Sequence, residues 1–600
     1  MATTPLVLGL NSSHPDSAAF LAGPNGVIAA ICEERINRQK HCSIFPREAI
    51  QEVLRMAGAS MSDVTDIAVA RDSKANLSAK LGFIARNPRV GLNLAKIRLG
   101  VQKGTGGTSQ SFAQQCGVPE SAIKARMHNV EHHLAHLASS YYWSNFDHAT
   151  GVSIDGSGDW CSVMIAKCQG NTIEVLRRTH PPHSLGIFYT ALCGLLGFNK
   201  YGEEYKVMGL AAYGHDKYRK EIHDLVSWSW DRGVRLDLDY FTSYTTVHSA
   251  EERTFGVGAD GEFKYPKMWS EKLEQLLGPA RNRSTPLSQR EQDLALSMQL
   301  RFEEIYMEII KDSIVHCGSR NLVMAGGCAL NGVANGKVMM QGLADRVYIH
   351  PAAGDDGTAA GAALWVLHNK LGVPRTGEVG HAYWGTEWND DQIEKAARES
   401  GLPFKKFDKP ALMNTTIDAF CQGKIVGWFQ GREEWGPRAL GNRSILANPN
   451  WPDMKAILNA RIKNREHFRP FAPAILEERL GEVYEGSHNV PFMNIVYKTR
   501  PEWRERLSAV NHQDDTGRVQ TVRRDQNQTY YDLIKNFGDR TGVPVLLNTS
   551  FNENEPIVHT PQQAIACFAR TKMDSLGIGS FWFDKSADLA AKAQVIAAEA

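Results

Sequence analysis

The 600-residue sequence predicts an α/β protein of two domains, and three features of the chain predict it. A strand–turn–strand–turn–strand pattern occupies the N-terminus and recurs near Thr150. Two glycine-bearing strand-to-helix junctions follow, at Ala325-Gly326-Gly327 and at Gly354-Asp355-Asp356-Gly357. A Gly/Pro-rich stretch at 371–381 then precedes a second series of strands and helices, and a chain of this length exceeds one ordinary core.

Residues 5–10 are apolar and extended, 11–16 (NSSHPD) are a turn, 17–21 resume a strand, and 27–32 return after Gly23-Pro24-Asn25-Gly26. The second meander runs 151–154, turns at Asp155-Gly156-Ser157-Gly158-Asp159, returns over 161–166 and closes with 172–176. The repeat is one of layout rather than of residue identity, and two small polar turns facing one cleft can grip a phosphate through backbone N–H groups. Residues 321–324 form a short strand, with a helix through Met340. Glycines at that junction let backbone approach a nucleotide. Residues 347–350 are a strand and 358–368 an Ala-rich helix, so Asp355 lies at a strand end. The domains are expected at 1–375 and 382–585. The second carries strands at 424–429, 543–547 and 576–583, and a helix opened by Thr560-Pro561 and ending at Arg570. The tail from Ser586 is Ala-rich, helical or frayed.

Lys plus Arg (67) nearly cancel Asp plus Glu (66), so bulk charge argues for neither nucleic acid nor membrane partners. Ten cysteines without a CxxC exclude a zinc ribbon and a disulfide framework, and read as reduced thiols in a cytoplasm. The N-terminus lacks a basic region before an apolar run, and no apolar stretch is long enough to span a bilayer.

Two regions carry chemistry. His132 and His136 project from one face if 132–136 (HHLAH) is helical, while His133 points about 100° away. With a carboxylate from a strand end they would suit Fe(II), Mn or Zn better than Mg or Ca. The other region, 431–473, holds Arg432, Arg438, Arg443, Arg461, Arg465 and Arg469 among Gly, Pro and aromatic residues. Guanidinium forks match phosphate, and Asn548 and Ser550 at a strand end could hold base or ribose, so the region reads as a polyanion site such as one for a triphosphate. Arg461 and Arg465 could equally belong to a solvated helix face. The basic stretch 71–103 (Lys74, Lys80, Arg86, Arg89, Lys96, Arg98, Lys103, against Asp72) reads first as a solvated amphipathic surface and second as an acceptor or interface segment.

These residues sit in motifs that, taken in order, resemble the O-carbamoyltransferases of natural-product and nodulation-factor biosynthesis. The likeness covers nearly the whole chain: Leu8-Gly9-Leu10-Asn11, Glu33-Glu34-Arg35 with Lys40-His41, HHLAH, Asp155-Gly156-Ser157-Gly158, Lys206 to Ala212, Ala325-Gly326-Gly327 with Asn331, GPRALGNRS from 436, FRPFAP from 468 and LNTSFN from 547. The resemblance implies an actin-like ATPase fold, of the threonylcarbamoyl-transferase branch, for the N-terminal domain and a YrdC-like fold for the C-terminal one. It implies that carbamoyl phosphate and ATP, with Mg, give carbamoyl-adenylate in the C-terminal domain. The carbamoyl group then passes to a hydroxyl of a small-molecule acceptor at an iron site, Zn or Mn being possible in its place. Its metal ligands map onto His132, His136, Asp155 and Asp355. Lys40 and Lys206 become phosphate or adenylate contacts, and Gly326, Gly327 and Asn331 a nucleotide cradle. His14 or Asp16 becomes the hydroxyl-activating base, although His14-Pro15-Asp16 replaces the family's adjacent His-Asp. In the second site Arg438, Arg443, Arg469 and Asn548 lead, followed by Arg432, Ser550 and Arg518.

A tRNA-modifying relative would carry a stronger basic face, and a hydrogenase-maturation relative would need zinc-finger and acylphosphatase segments absent here. A sugar-kinase-like enzyme leaves the arginine loop unexplained, and a non-enzymatic binding module would bind ATP without releasing AMP or pyrophosphate. The acceptor stays open among macrolide, aminoglycoside, alkaloid and polar sugar, its selection assigned to 71–110 and 225–290. A homodimer is compatible with the sequence.

Overall fold

A computed structural model describes residues 4–12, 14–91, 107–243, 256–257, 263–463, 465–466 and 468–585. The chain is mixed α/β and divides into two compact units, Met1–Val379 and Gly380–Ala600.

In the first unit β1 (Val7–Asn11), β2 (Ala18–Gly23), β3 (Gly26–Cys32), β4 (Asp66–Val69) and β5 (Arg126–Asn129) form a sheet in the order β3-β2-β1-β4-β5. Next come β6 (His148–Gly158), β7 (Cys161–Gln169) and β8 (Thr172–Thr179). Two ribbons intervene, β9 (Val226–Ser227) with β10 (Arg235–Leu236) and β11 (Gly256–Val257) with β12 (Phe263–Lys264). Then β13 (Asn321–Ala325) and β14 (Arg346–Ile349) complete a second sheet, β14-β13-β6-β7-β8. Each sheet is an antiparallel meander extended by two parallel strands. Tight turns between the meander strands dictate the first pairing, and helical crossovers the second. The layout repeat in the sequence is thus a repeat of topology.

The helix Thr358–Leu364 is buried throughout and packs against both β1 and the helix His132–Trp143. Its Ala/Gly composition permits this: a Cβ on Gly361 would lie 1.7 Å from the Ala135 carbonyl oxygen. On the first sheet the helix Arg47–Ala57 buries Ala49, Ile50, Val53 and Leu54, an i, i+1, i+4, i+5 stripe.

Several boundaries differ from expectation. The turn at 155–159 is the end of β6, whose register shifts between Ile154 and Gly158, and the reversal falls on Asp159 and Trp160, both at positive φ (46° and 68°). After Gly326 the chain makes a 3-10 turn, Gly327–Leu330, before the helix Gly332–Met340. The Ala-rich helix ends at Leu364 and continues as a π-helical turn, Trp365–Lys370. Of the basic stretch, the helix Leu77–Arg86 buries Phe83 against Trp160, at 5.1 Å between ring centroids, while Leu81 is exposed. Lys96, Arg98 and Lys103, like the tail from Ser586, lie outside the described residues.

The second unit is built on one sheet of β15 (Lys405–Lys406), β16 (Val426–Phe429), β17 (Arg443–Ala447), β18 (Ala472–Leu476), β21 (Gln520–Val522), β22 (Val545–Ser550), β23 (Ser575–Ile578) and β24 (Phe581–Asp584). Its order is β15-β24-β23-β16-β17-β22-β18-β21, with β19 (Val496–Lys498) and β20 (Thr516–Arg518) a separate pair. Residues 576–583, expected as one strand, are the hairpin β23–β24, because Gly579 adopts φ 55° and reverses the chain. The helix Pro561–Arg570 starts as expected, with Thr560 and Gln563 forming a capping box around Pro561. No helix among the described residues is long and apolar enough to cross a membrane.

Candidate metal centre and arginine loop

The helix His132–Trp143 places His132 and His136 one turn apart, with Nε2 atoms 3.0 Å from each other. Asp155, on β6, and Asp355, at the turn entering the Ala-rich helix, complete the group. His132 Nε2 is 3.4 Å from Asp155 Oδ2 and 3.5 Å from Asp355 Oδ1, and His136 Nε2 is 3.5 Å from each. One ligand atom from each of the four lies within 4.8 Å of all the others. The Nδ1 atoms of both histidines are buried without a partner. His133 is turned away, its ring nitrogens meeting Ser153 Oγ at 2.9 Å and the Cys161 carbonyl at 3.0 Å.

The surroundings explain the convergence. Asp159 Oδ2 accepts the His132 N–H at 2.9 Å and so fixes the helix start. Gly327 N–H donates to Asp155 Oδ1 at 3.1 Å, and Ser184 Oγ donates to the Asp155 carbonyl at 2.9 Å. A Cβ on Gly158 would sit 2.0 Å from His132 Cδ2, so only glycine leaves room for that ring. Burial opposes charge on His132, Asp155 and Asp355, yet interactions within the group override it. Asp155 is held well below the usual carboxylate range by hydrogen bonds from His132 and His136. Asp355 falls to about 2 beside His132, and His132 is raised to about 10 by Asp355 and Asp155. Two imidazoles and two carboxylates clustered in this way fit a first-row divalent ion.

Around this cluster the other expected residues are distributed unevenly. The His14 ring is 4.7 Å from that of His132, edge to face, with Nδ1 buried and unpartnered. Burial, with His132 nearby, holds its pKa well below the ordinary histidine range. Asp16 does not pair with His14. Its carboxylate lies 2.7 Å from His41 Nδ1 and accepts from the Tyr201 hydroxyl at 3.3 Å, because Asn11 Nδ2 holds the carbonyls of Pro15 and Asp16 and turns the chain. Burial would lower His41, but Asp16 lifts it to about 9. Lys40 is exposed.

Lys206 donates to Glu203 Oε1 at 2.7 Å, a carboxylate that Arg283 also grips through both amino groups. Asn331 is a capping residue, accepting from Ala334 N–H and exchanging hydrogen bonds with Gln299. The amides of Gly326 and Gly327 donate to Ala353 O and Asp155 Oδ1, so the Gly-Gly turn braces one carboxylate of the four-residue cluster.

In the second unit β17, β22, β18 and β21 are consecutive in the sheet, and the loop before β17 is tied to β21 and β22 by Gln520 Nε2 on the Leu440 carbonyl and Asn548 Nδ2 on the Ala439 carbonyl. One oxygen of the buried Glu434 accepts from the amides of Leu440, Asn442 and Arg443 at 2.7–3.1 Å, which moulds that loop. Arg443, expected to meet phosphate, is fully buried instead. Its guanidinium donates to the carbonyls of Gln430, Asn442, Thr386 and Gly431, and its Cζ stands 3.7 Å over the Phe429 ring. Arg432 likewise holds the carbonyls of Trp384 and Gly385. Arg461 is ion-paired with Asp574, and Arg465 donates to Asn459 over the Phe471 ring. Asn548 Nδ2 donates to Gln520 Oε1 and to the Ala439 carbonyl, leaving Oδ1 buried and unpartnered. Ser550 Oγ donates to Asn552 Oδ1. Arg438, Arg469 and Arg518 are half-buried, with Glu466 3.6 Å from Arg469.

Sequence reasoning passed over Lys463. Its buried ammonium ends a π-helical turn, Asn459–Lys463, and donates to Ser550 O, Asn552 O and Asn552 Oδ1 at 2.6–2.7 Å. In sequence Lys463 stands among conspicuous arginines, and its signal, a π turn, exists only in three dimensions.

Comparison with known proteins bears on both constellations. The family model "Carbamoyltransferase N-terminus" matches residues 6–364, and "Carbamoyltransferase C-terminus" matches 417–585. The chain is 34% identical to an uncharacterised protein of Synechocystis over 97% of both chains. It is 35% identical to nodulation protein NolNO of Sinorhizobium fredii, over 96% of this chain and 80% of the other. Against nodulation protein NolO of Bradyrhizobium diazoefficiens the identity is 37%, over 75% and 78%. Among solved structures, HypF of T. kodakarensis is 16% identical with a TM-score of 0.29, over 62% of this chain and 48% of that one. On both matched segments and on these relatives, the chain belongs to the carbamoyltransferase family.

Proposed function

We propose that this carbamoyltransferase is ATP-dependent and carbamoylates a hydroxyl of a small molecule in two stages. In this reading the second unit, YrdC-like, makes carbamoyl-adenylate. Water first releases carbamate and inorganic phosphate from carbamoyl phosphate. A carbamate oxygen then attacks the α-phosphorus of ATP, and pyrophosphate leaves. Lys463 holds the strand end at Ser550 and Asn552, while Arg438 and Arg469, with Arg518, neutralise and orient the phosphates, with Mg accompanying ATP. Arg443 and Glu434 hold the backbone that presents them. Adenylation gives the carbamoyl carbon, deactivated by its nitrogen, a leaving group whose charge spreads over phosphate.

The first unit, actin-like, receives the adenylate and an acceptor hydroxyl. His14, neutral and with Nδ1 unpartnered, takes the hydroxyl proton. The alcohol oxygen forms the new bond to the carbamoyl carbon as its bond to the phosphate oxygen breaks, and AMP departs. His41, held by Asp16, binds the departing phosphate together with Lys40. His132, His136, Asp155 and Asp355 would hold Fe(II), or Zn or Mn in its place, and such an ion supplies Lewis acidity and orientation. Carrying an activated anhydride within one chain limits its hydrolysis.

The observation that carries this reading is the four-ligand cluster within a chain of this family. The repeated sheet topology of the first unit supports the actin-like assignment. The test is incubation of the full chain with ATP, carbamoyl phosphate and Fe(II). Pyrophosphate that depends on carbamoyl phosphate is expected, as is a carbamate mass gain in a screen of hydroxylated natural products. ADP without pyrophosphate would replace this reading with a phosphotransferase.

A further inference from the structure

Arg177 and Arg178 are neighbours on β8 and face opposite sides of the strand. Arg178 is satisfied: Glu131 takes both its Nε and Nη2 donors, at 3.1 and 2.7 Å. Arg177 is not. Its Nε is buried without a hydrogen-bond partner, and no carboxylate or carbonyl among the described residues accepts from its guanidinium. Arg235, on β10, is in the same condition, its Nε also buried and unpartnered. Both side chains are half-buried.

The backbone brings these groups together. Thr179 shares the face of Arg177, two residues on. Val234 N–H donates to Thr179 Oγ1 at 3.3 Å and Leu236 N–H donates to His183 Nδ1 at 3.1 Å, so the chain on either side of Arg235 is tied to the segment following Arg177. The close approach needs Gly233, at φ 70°, where a Cβ would meet Thr179 Oγ1 at 2.5 Å. Arg177 stands 5.6 Å over the Trp230 ring, and the His316 ring stacks on Trp230 at 3.6 Å and 4°. The indole is thereby held as a flat wall beside the arginines. Exposed Arg232 adds a third cation. Burial, then Arg232 and Arg177, pull Arg235 below its ordinary range, and burial pulls Arg177 down against Asp231.

Desolvating like charges and leaving their donors empty is unfavourable. Neutral side chains of similar reach would stabilise the free protein. The arrangement is favourable when a bound anion supplies the missing charge and acceptors, and guanidinium forks select oxyanions with several coplanar or tetrahedral oxygens. None of these residues belongs to the four-ligand cluster or to the arginine loop. We propose that Arg177, Arg232 and Arg235 form a binding site for a phosphate-class oxyanion, walled by Trp230. The source is free phosphate or a diphosphate group, two chemistries that one experiment separates.

The full chain, labelled with 5-fluorotryptophan, reports the site directly by ¹⁹F NMR, the Trp230 signal being the one lost in Trp230→Phe. Inorganic phosphate and sodium pyrophosphate are titrated separately, with ionic strength held constant by chloride. The Trp230 signal should shift saturably, and the Arg177→Gln/Arg235→Gln variant should lose that shift while keeping the signal at its ligand-free position. A response to both anions supports a phosphate site, and a response to pyrophosphate alone a diphosphate site. In phosphate-free buffer the double variant should melt at or above the wild-type temperature. A Trp230 signal indifferent to both anions, or one shifted equally in the double variant, overturns the proposal. So does a double variant that melts lower in phosphate-free buffer, which would mark the arginines as structural.

Discussion

Replacing Gly158 by alanine tests whether the histidine helix and β6 are matched closely enough to set the metal centre. The new methyl carbon would lie 2.0 Å from His132 Cδ2, 2.3 Å from Cγ and 2.7 Å from Nε2. Carbon atoms in contact stand about 3.5–4.0 Å apart, so the ring must retreat by about 1.5 Å. His132 is 1% exposed, with the rings of His14, His133 and His136 packed around it at 4.5–5.6 Å, and has little room to do so. Overpacking of this kind costs about 1–3 kcal/mol. Metal–imidazole distances tolerate only about 0.2 Å, so the displaced Nε2 is lost as a ligand. Losing an outer partner of a ligand already costs about 10–100-fold in affinity, and losing the ligand should cost at least about 100-fold. After chelation, Gly158→Ala titrated with Fe(II) or Zn(II) should show that loss, as should His136→Ala, which opens a cavity instead of a clash. Acceptor carbamoylation should fall in parallel while carbamoyl-phosphate-dependent pyrophosphate release continues. Wild-type metal affinity in a folded Gly158→Ala protein would refute the reasoning.

Arg438→Ala should abolish carbamoyl-phosphate-dependent pyrophosphate release with metal content unchanged; normal release would remove Arg438 from the site. Arg443→Met should act on stability instead. It strips hydrogen bonds from four carbonyls, and at about 1.5–3 kcal/mol for a charged donor the loss in urea unfolding should be at least about 3 kcal/mol. An unchanged midpoint would return Arg443 to the ligand-contacting set. His183 predicts acid sensitivity. Burial, then Arg235 and Arg232, lower its pKa from 6.5 to about 4 in the folded chain. Between those values the unfolded chain binds more protons, so stability falls as pH falls from about 6.5 to about 4, by on the order of 3 kcal/mol. His183→Gln, which keeps an acceptor for Leu236 N–H, should flatten that part of the profile, and parallel wild-type and variant profiles would contradict it.

The meander strands of the first unit were readable because short turns and apolar runs are local signals, whereas β4 and β5, four residues each and not bounded by tight turns, were missed, and with them the shared topology of the two sheets. The hairpin at Gly579 was not, since Leu576-Gly577-Ile578 and Phe581-Trp582-Phe583 are both apolar and a lone glycine does not announce its φ. His132 and His136 were legible from helical spacing alone, but Asp155 and Asp355 came from a resemblance, because carboxylates far apart in sequence carry no mark of their meeting. The arginine loop was legible only as a group. Arg438 and Arg443 differ by five positions and are similar in local composition, yet Glu434 and four carbonyls, all long-range or loop contacts, bury one of them and not the other. Which cation faces a ligand depends on that folding of the loop, and it is invisible in a string of residues.

Arg375 reaches back to the far end of the histidine helix, donating to the carbonyls of Tyr141, Ser144 and Phe146 while its guanidinium lies 4.3 Å over the Tyr141 ring. With Asp159 at the near end, both termini of that helix are clamped. If His132 and His136 hold an ion as proposed, a helix clamped at both ends resists the shift of backbone that a wider ion would require. Ions that take nitrogen near 2.0–2.2 Å fit such a pair, whereas calcium asks for six to eight oxygens at about 2.3–2.6 Å. Under that proposal, stiffness far from the ligands adds to ligand chemistry in favouring the smaller ion.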